Sequence, residues 1–318
     1  MTEKSDKPYY FSAIIAGFSF GTIPIFSAIL RDLSISSIEQ TFLRILFGSF
    51  FGLGILFLYF LKRKRFVRTS WKLDIQKTYL IQGILFVLMI LVYLSSIALN
   101  TPVGEAALLV QTHPIITLIV GYYVLDEEIT LKKVSAIILS MGGLVLLTEP
   151  WKWETFLATL IGDLFALANG FLYAIYLLVG RASSKTRENI PYVISISWVL
   201  FWSIIIAIPL LTLLSFLPLP TSLISFSLNK LITPQILILG ISFAFFGSII
   251  PYGLIMIAQK RIESSKTSIL LLGEPVGAII LGALILNEGV SVFYLIGGFL
   301  IIIAVIMTSL TIKEKVDT

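Results

Sequence analysis

Glu274, His113 and Arg44 are the ionisable side chains deepest inside the apolar runs of this sequence, with Glu105 and Asp163 nearer the ends of such runs. A charge at the centre of an apolar helix in a bilayer costs about 2.5–3.5 kcal/mol on insertion scales, so each must face protein or a wet cavity. Glu274 has the chemistry of a counter-charge for a cationic or amino-bearing solute. It also has that of a proton carrier, because desolvation favours the neutral acid. The plainer alternative is a protonated or hydrogen-bonded structural carboxyl. His113, a group that ordinarily titrates near neutral pH, could be the partner of that carboxyl or a neutral ring satisfied by a neighbouring helix.

Both residues directly precede a proline, Pro114 and Pro275. Proline lacks the N–H that would bond four residues back, so the carbonyls of Val110 and Leu271 are expected to be left over by the helix. Such groups survive in a membrane only beside protein, water or a ligand. Gln111 falls about 200° around a continuous helix from His113, which puts the two on different faces and ranks Gln111 lower as a binding residue. Tyr93, Asn169, Tyr173, Tyr176, Trp198 and Tyr252 have polar tips on apolar bodies and could line a cavity for a planar or amphipathic solute, although packing explains any one of them. Asn169 and Tyr173 are four apart and share a helix face.

Glu127 and Glu288 stand at helix ends, three residues before Thr130 and Ser291, which can cap the next helices. Turn-fixing carboxylates are the expected role. Arg44 and Glu288 are both expected in the outer half, where an ion pair would be structural or part of a gate. Gly17-x3-Gly21, Gly48-x3-Gly52 and Gly273-x3-Gly277 allow close helix approach.

These residues need helices in lipid to hold them. Of the 318 residues 57% are hydrophobic and only 13% charged, with mean hydropathy +0.99. A water-soluble fold of that length lacks the polar surface to cover so much apolar side chain. A crossing needs roughly 20 apolar residues for a hydrocarbon core about 30 Å thick, and ten runs answer: 9–30, 37–61, 78–99, 103–125, 132–148, 157–180, 191–216, 234–258, 266–286 and 291–311. They do not alternate as barrel strands would. The first is read as a retained helix, because it is too long for a signal-peptide core. The 217–233 segment, with Pro218 and Pro220, suits the interface.

With the N-terminus inside, nineteen of the 23 Lys and Arg fall on the inner side; Arg31, Lys152 and Lys230 lie outside and Arg44 within the second run. Positive residues are retained in the cytoplasm, so both termini are expected there. The net charge of +5 is then loop charge, and no nucleic-acid partner is implied. The absence of cysteine and the presence of a single histidine leave no thiolate or multi-histidine metal site, and no cofactor is expected. No Gly-Lys-Ser/Thr loop suggests ATP-driven pumping.

A shift of 161 residues lays Pro114 on Pro275, Gly121 on Gly282, Leu125 on Leu286 and Glu127 on Glu288 without a gap, with His113 on Glu274. Five crossings per half, an odd number, make the second half (151–318) an inverted copy of the first (1–150).

The stretches ALNTPVGEAALLVQTHPIITLIVGYYVLDEEIT and RIESSKTSILLLGEPVGAIILGALILNEGVS resemble the signature of the EamA family in the drug/metabolite transporter superfamily: a helix rich in small residues with a central proline, closed by Leu-x-Glu. Arg44 in TFLRILFGS also resembles that family's second helix. The resemblance covers nearly the whole chain and implies an all-α, ten-helix inverted-repeat carrier, multi-pass in the cell membrane, that moves an amino acid, a related metabolite or a drug without ATP. His113 departs from the pattern, which more often has an apolar residue before the proline. The expected function is secondary transport by alternating access, with proton coupling as an addition and a small-molecule substrate and the lipid bilayer as partners. An intramembrane enzyme for lipid or isoprenoid substrates is the alternative. It would need clustered carboxylates or a nucleophile with its base, and no Asp-rich cluster lies within the runs. A channel would want a filter motif, and none is evident.

Overall fold

A computed structural model of the chain describes residues 6–99, 101, 106, 109–148, 156–285 and 292–309, and every regular element among them is helical. In chain order these are α1 (Lys7–Phe20), α2 (Thr22–Asp32), α3 (Ser37–Ser70), α4 (Leu73–Ala98), α5 (His113–Leu125), α6 (Leu131–Thr148), α7 (Phe156–Ala182) and α8 (Tyr192–Ser215). Then come the short α9 (Thr221–Ile224) and α10 (Leu228–Leu231), α11 (Pro234–Ala244), a π-helical turn (Phe245–Ile249), α12 (Ile250–Ala258), α13 (Ser264–Leu270), α14 (Gly273–Ile285) and α15 (Val292–Ser309). Helix lies within each of the ten expected runs. Among the described residues seven spans are long and apolar enough to cross a membrane: Lys7–Asp32, Ser37–Arg63, Leu73–Ala98, Leu160–Ala182, Tyr192–Ser215, Pro234–Ala258 and Ser264–Ile285.

Several of the runs are not single rods. Lys7–Asp32 breaks at Gly21, Pro234–Ala258 carries the π turn, and Ser264–Ile285 breaks at Leu271 and Leu272. The expected 103–125 helix begins its regular α-helix only at His113, after a turn at Gln111 and Thr112. Pro114 and Pro275 set the last two breaks, since each ring has no N–H to donate and clashes with the carbonyl four residues back, near the turns at 111–112 and 271–272. Helix starts elsewhere are conventional. Ser36 accepts from Glu39 N at 3.2 Å while the Glu39 carboxylate accepts from Ser36 N at 2.8 Å, a reciprocal cap that fixes the entry to α3. Ser36→Ala should cost about 1 kcal/mol, read as a lower melting temperature in detergent. Asp126 ends α5 in the left-handed conformation at φ 55°, which short polar side chains tolerate.

The packing turns a soluble protein inside out. Phe11, Phe50, Phe57 and Phe299 are exposed on the perimeter, whereas Arg44, Gln82, Gln111, His113 and Thr117 are fully buried. That distribution suits an apolar solvent around the bundle. Within it α3 pairs with α8 and α6 with α15; α4 lies on α7 and α8, α12 on α1 and α8, α11 on α3, α5 on α7 and α13, and α1 on α14. Small residues permit the closest of these crossings. A Cβ on Gly277 would stand 2.6 Å from the Phe18 carbonyl oxygen, and one on Gly52 3.1 Å from the Ser197 Cα.

Candidate functional site

The breaks in α1–α2, before α5 and between α13 and α14 meet near the middle of the bundle, and a small cavity lies there. Its polar lining is Arg44, Tyr93, Asn169, Tyr173, Tyr252 and Glu274, and its apolar lining is Phe20, Ile23, Met89, Ile90 and Val110. Arg44 arrives on α3 and is only 1% exposed. Its Nε donates to Ser248 Oγ at 2.7 Å, an Nη donates to the Gly247 carbonyl, and its Cζ lies 4.9 Å from the centre of the Phe243 ring. The π turn supplies that carbonyl, because wider i→i+5 bonding leaves carbonyls available to a side chain. The expected position of Arg44 at an outer gate is thus replaced by one on the central cavity. Glu288, its expected partner, lies outside the described residues.

Glu274 enters the cavity from the second residue of α14, and behind it the side chains form a chain of contacts. Gln111 Nε2 donates to Glu274 Oε2 at 3.4 Å, and Gln111 Oε1 is 3.1 Å from His113 Nε2. An amide oxygen can only accept, so Nε2 of His113 carries the proton and Nδ1 is left as an acceptor. The helical count that separated Gln111 from His113 fails because residue 111 sits in the turn ahead of Pro114, where 100° per residue does not apply. Gln111 therefore joins the two groups, while neither it nor His113 lines the cavity. The Leu271 carbonyl, expected to be left over, accepts from Glu274 N at 3.0 Å across the break.

The file of polar groups continues away from the cavity. Thr117, one turn beyond His113, shares a hydrogen with Ser268 Oγ at 2.6 Å, and Ser265 Oγ donates to Glu127 at 2.6 Å. Glu127 also accepts the backbone N–H groups of Ser264 at 2.6 Å and Ser265 at 3.0 Å. It thus caps α13 from across the bundle, a role in fixing structure as expected but on a different turn. Thr130 caps α6 as anticipated, accepting from Lys133 N at 3.3 Å.

The aromatic candidates divide. Tyr173 packs 4.6 Å from the His113 ring, Tyr252 sits edge-on to Phe20 at 5.0 Å and to Tyr176 at 5.4 Å, and Asn169 donates to the Met89 carbonyl, tying α7 to α4. Among the described residues the hydroxyls of Tyr93 and Tyr173 and Nδ1 of His113 have no hydrogen-bond partner. A buried orphan costs about 1–3 kcal/mol, and the two tyrosines, which line the cavity, are the ones that an occupant could complete. Trp198 is elsewhere: its indole donates to Ser70 Oγ at 2.8 Å and stands edge-on to Trp71, so α8 turns it toward the far ends of α3 and α4. Phe20, Ile23, Met89 and Ile90 were not foreseen, because apolar side chains in apolar helices leave no signal of which ones face inward.

The two ends of the bundle differ. One opens into a wide polar vestibule bordered by Ser27, Arg31, Gln40, Leu94, Thr101 and Lys230 among others. Ser27, Gln40 and Leu94 are each one turn from Ile23, Arg44 and Ile90, so the two cavities are stacked on the same three helices. The other end, rich in Lys and Arg, is sealed. Arg187 is buried there with bonds to Gln82 Oε1 at 3.2 Å and the Gly180 carbonyl at 2.8 Å, and Gln259 donates to the Leu177 carbonyl at 3.2 Å. Lys260 reaches the carbonyls of Glu188 and Ile190 at 3.1 and 3.0 Å. Burial, and then the neighbouring Arg187, hold its ammonium below the usual lysine range, opposed by Glu188. Lys133 pairs with Glu263 at 2.6 Å.

The sequence profile of the EamA-like transporter family matches this chain twice, over residues 7–149 and 160–310. An uncharacterized transporter of Archaeoglobus fulgidus is 26% identical over 289 residues, 91% of this chain and 92% of the relative. Another from Clostridium kluyveri is 28% identical over 238 residues, 74% and 72% of the two chains. A crystal structure titled only as that of a protein superposes with a TM-score of 0.70 over 96% of both chains at 15% identity, a likeness of fold.

Proposed function

Because the chain belongs to the EamA-like transporter family, we propose that this membrane transporter is a secondary carrier that moves a small metabolite, an amino acid, a relative of one or a drug-like molecule, by alternating access with proton coupling. The observation that carries the reading is the central cavity: it holds a buried guanidinium and a buried carboxyl and lies one helical turn from a wide vestibule at one end, while bonds from Arg187, Gln259 and Lys260 hold the other end together. A site of that kind at mid-depth, built from broken helices, is what alternating access requires.

Two inverted halves, residues 1–150 and 151–318, supply the moving parts in this reading, with ten crossings and both termini in the cytoplasm. The packing supports it. Exchanging the five helical runs of one half for those of the other turns the α4–α7 contact into α12–α1, α5–α7 into α14–α1 and α4–α8 into α11–α3, while α3–α8 and α6–α15 map onto themselves. The Lys and Arg bias supports an orientation with that end toward the cytoplasm and the vestibule outward.

Proton coupling is supported by polar groups spaced from the cavity toward the Lys- and Arg-rich end: Glu274, Gln111 and His113 in hydrogen-bond contact, then Thr117 with Ser268, then Ser265 with Glu127, the three clusters joined through the backbone carbonyls of His113 and Ser265. Glu274 takes the proton at the cavity. In proteoliposomes under a pH gradient, Glu274→Gln should abolish concentrative uptake while exchange of substrate across the membrane persists. Normal gradient-driven uptake by that variant would remove Glu274 from the mechanism.

A further inference from the structure

Arg44 is a buried cation without a carboxylate within 4.0 Å among the described residues. It bonds to the Ser248 hydroxyl, the Gly247 carbonyl and the Tyr252 hydroxyl, and its ring contact is with Phe243. Glu274 shares its cavity but is engaged by Gln111, and Tyr93 and Tyr173, which line the same cavity, have hydroxyls without a hydrogen-bond partner among the described residues. A guanidinium so placed has donors to spare and a full charge without an ion partner in contact, and burying such a charge is costly until an anion arrives.

The path to it carries the same sign. Arg31 and Lys230 border the vestibule, and the remainder of its lining among the described residues is hydroxyls, one amide and apolar side chains, without a carboxylate. The nearby acids among the described residues are otherwise engaged or turned to solvent. Glu39 accepts from the backbone N–H groups of Ser36 and Ser227, Asp163 accepts from Thr101, and Asp32 is exposed 3.7 Å from Arg31. Cations outside the membrane run against the topological bias of this chain, and two of its three stand at this mouth.

We infer that the solute carries a carboxylate, that Arg31 and Lys230 draw it into the vestibule and that Arg44 binds it in the central cavity. The inference rests on the carrier reading. A carboxylate fits better than a phosphate monoester, because one guanidinium and two hydroxyls balance a single negative charge, whereas a phosphate carries about 1.5–2. Bidentate pairing with a planar carboxylate is also the geometry that arginine serves best.

The test uses the purified full chain and four small probes of one size: propionate, propylamine, propanol and propyl phosphate. Propionate should raise the melting temperature, and the amine, the alcohol and the phosphate should not. Arg44→Gln should lose the response, and Arg44→Lys, which keeps the charge without the planar fork, should retain it with an affinity weakened about tenfold. Stabilisation by propylamine alone, or an undiminished response to propionate in folded Arg44→Gln, overturns the inference. Stabilisation by propyl phosphate in place of propionate overturns the carboxylate assignment.

In proteoliposomes at low ionic strength, Arg31→Gln/Lys230→Gln should raise the KM for a transported carboxylate several-fold, with the ratio to wild type falling toward one as salt is added. A salt-independent ratio removes the two cations from the path. Propionate binding without flux of any carboxylate would sink the carrier reading and leave the anion site standing, whereas flux indifferent to the carboxylate would do the reverse.

Discussion

Gly277→Leu is expected to yield no monodisperse folded protein, the largest stability effect of any single substitution considered for this chain. Gly277 in α14 faces the α1–α2 junction, where a Cβ would lie 2.6 Å from the Phe18 carbonyl oxygen and 3.2 Å from the Phe18 Cα. Gly21 faces it in return, its own Cβ position 2.9 Å from the Gly277 Cα. These obstacles are backbone, so no rotamer change relieves them, and both helices would have to separate. Overpacking with relaxation costs about 1–3 kcal/mol, and more when the neighbour cannot yield. The crossing also borders the central cavity, since Phe20 and Glu274 lie within one turn of the contact. Size-exclusion chromatography after detergent extraction is the measurement. Gly54→Ala is the control: nothing lies within 4 Å of its Cβ position, and it should be neutral or slightly stabilising through helix propensity. A well-behaved Gly277→Leu protein would mean that the helices can part at little cost.

The second large effect is expected at the sealed end. The Glu127 carboxylate takes three hydrogen bonds from the first two residues of α13, and it is 5% exposed. Hydrogen bonds to a charged group contribute about 1.5–3 kcal/mol each, and their loss leaves two backbone donors at a helix start without an acceptor. Glu127→Ala should therefore loosen α13 from the end of α5 and let water into the sealed end. The chain has no cysteine, so accessibility can be read with one introduced thiol. Ser264→Cys serves, since the Ser264 hydroxyl has no hydrogen-bond partner among the described residues and its backbone N–H does the bonding. Labelling by a water-soluble maleimide should accelerate about tenfold or more when Glu127→Ala is added, a change of roughly 1.4 kcal/mol or more in the local opening. Equal labelling rates would show that the seal does not depend on Glu127.

Much of this architecture was legible beforehand because lipid simplifies the code. Every backbone polar group must be bonded within a helix, so apolar runs of the right length announce themselves, and Pro114 and Pro275 announce where the bonding fails. Glu274 was legible for the same reason: a carboxyl in such a run has few explanations. Trp198 was misjudged because a polar tip shows that a partner is needed without showing in which direction it lies. The angle that separates Gln111 from His113 holds only in an unbroken helix, and Pro114, three residues after Gln111, marks the break.

By itself, the sequence determined that the chain is helical, that its helices suit a bilayer, that Lys and Arg crowd one side, and that a proline-marked segment occurs twice with His113 against Glu274. These follow from hydropathy, charge and spacing, properties that each residue carries regardless of its neighbours in space. Only the tertiary structure decided that Arg44 turns from the gate to the central cavity, that Gln111 links His113 to Glu274, and that Glu127 caps the helix of the opposite half. Those are contacts between residues up to 204 positions apart. They depend on where helices break and how closely glycine lets them cross, and an interhelical hydrogen bond exists only once that crossing is made.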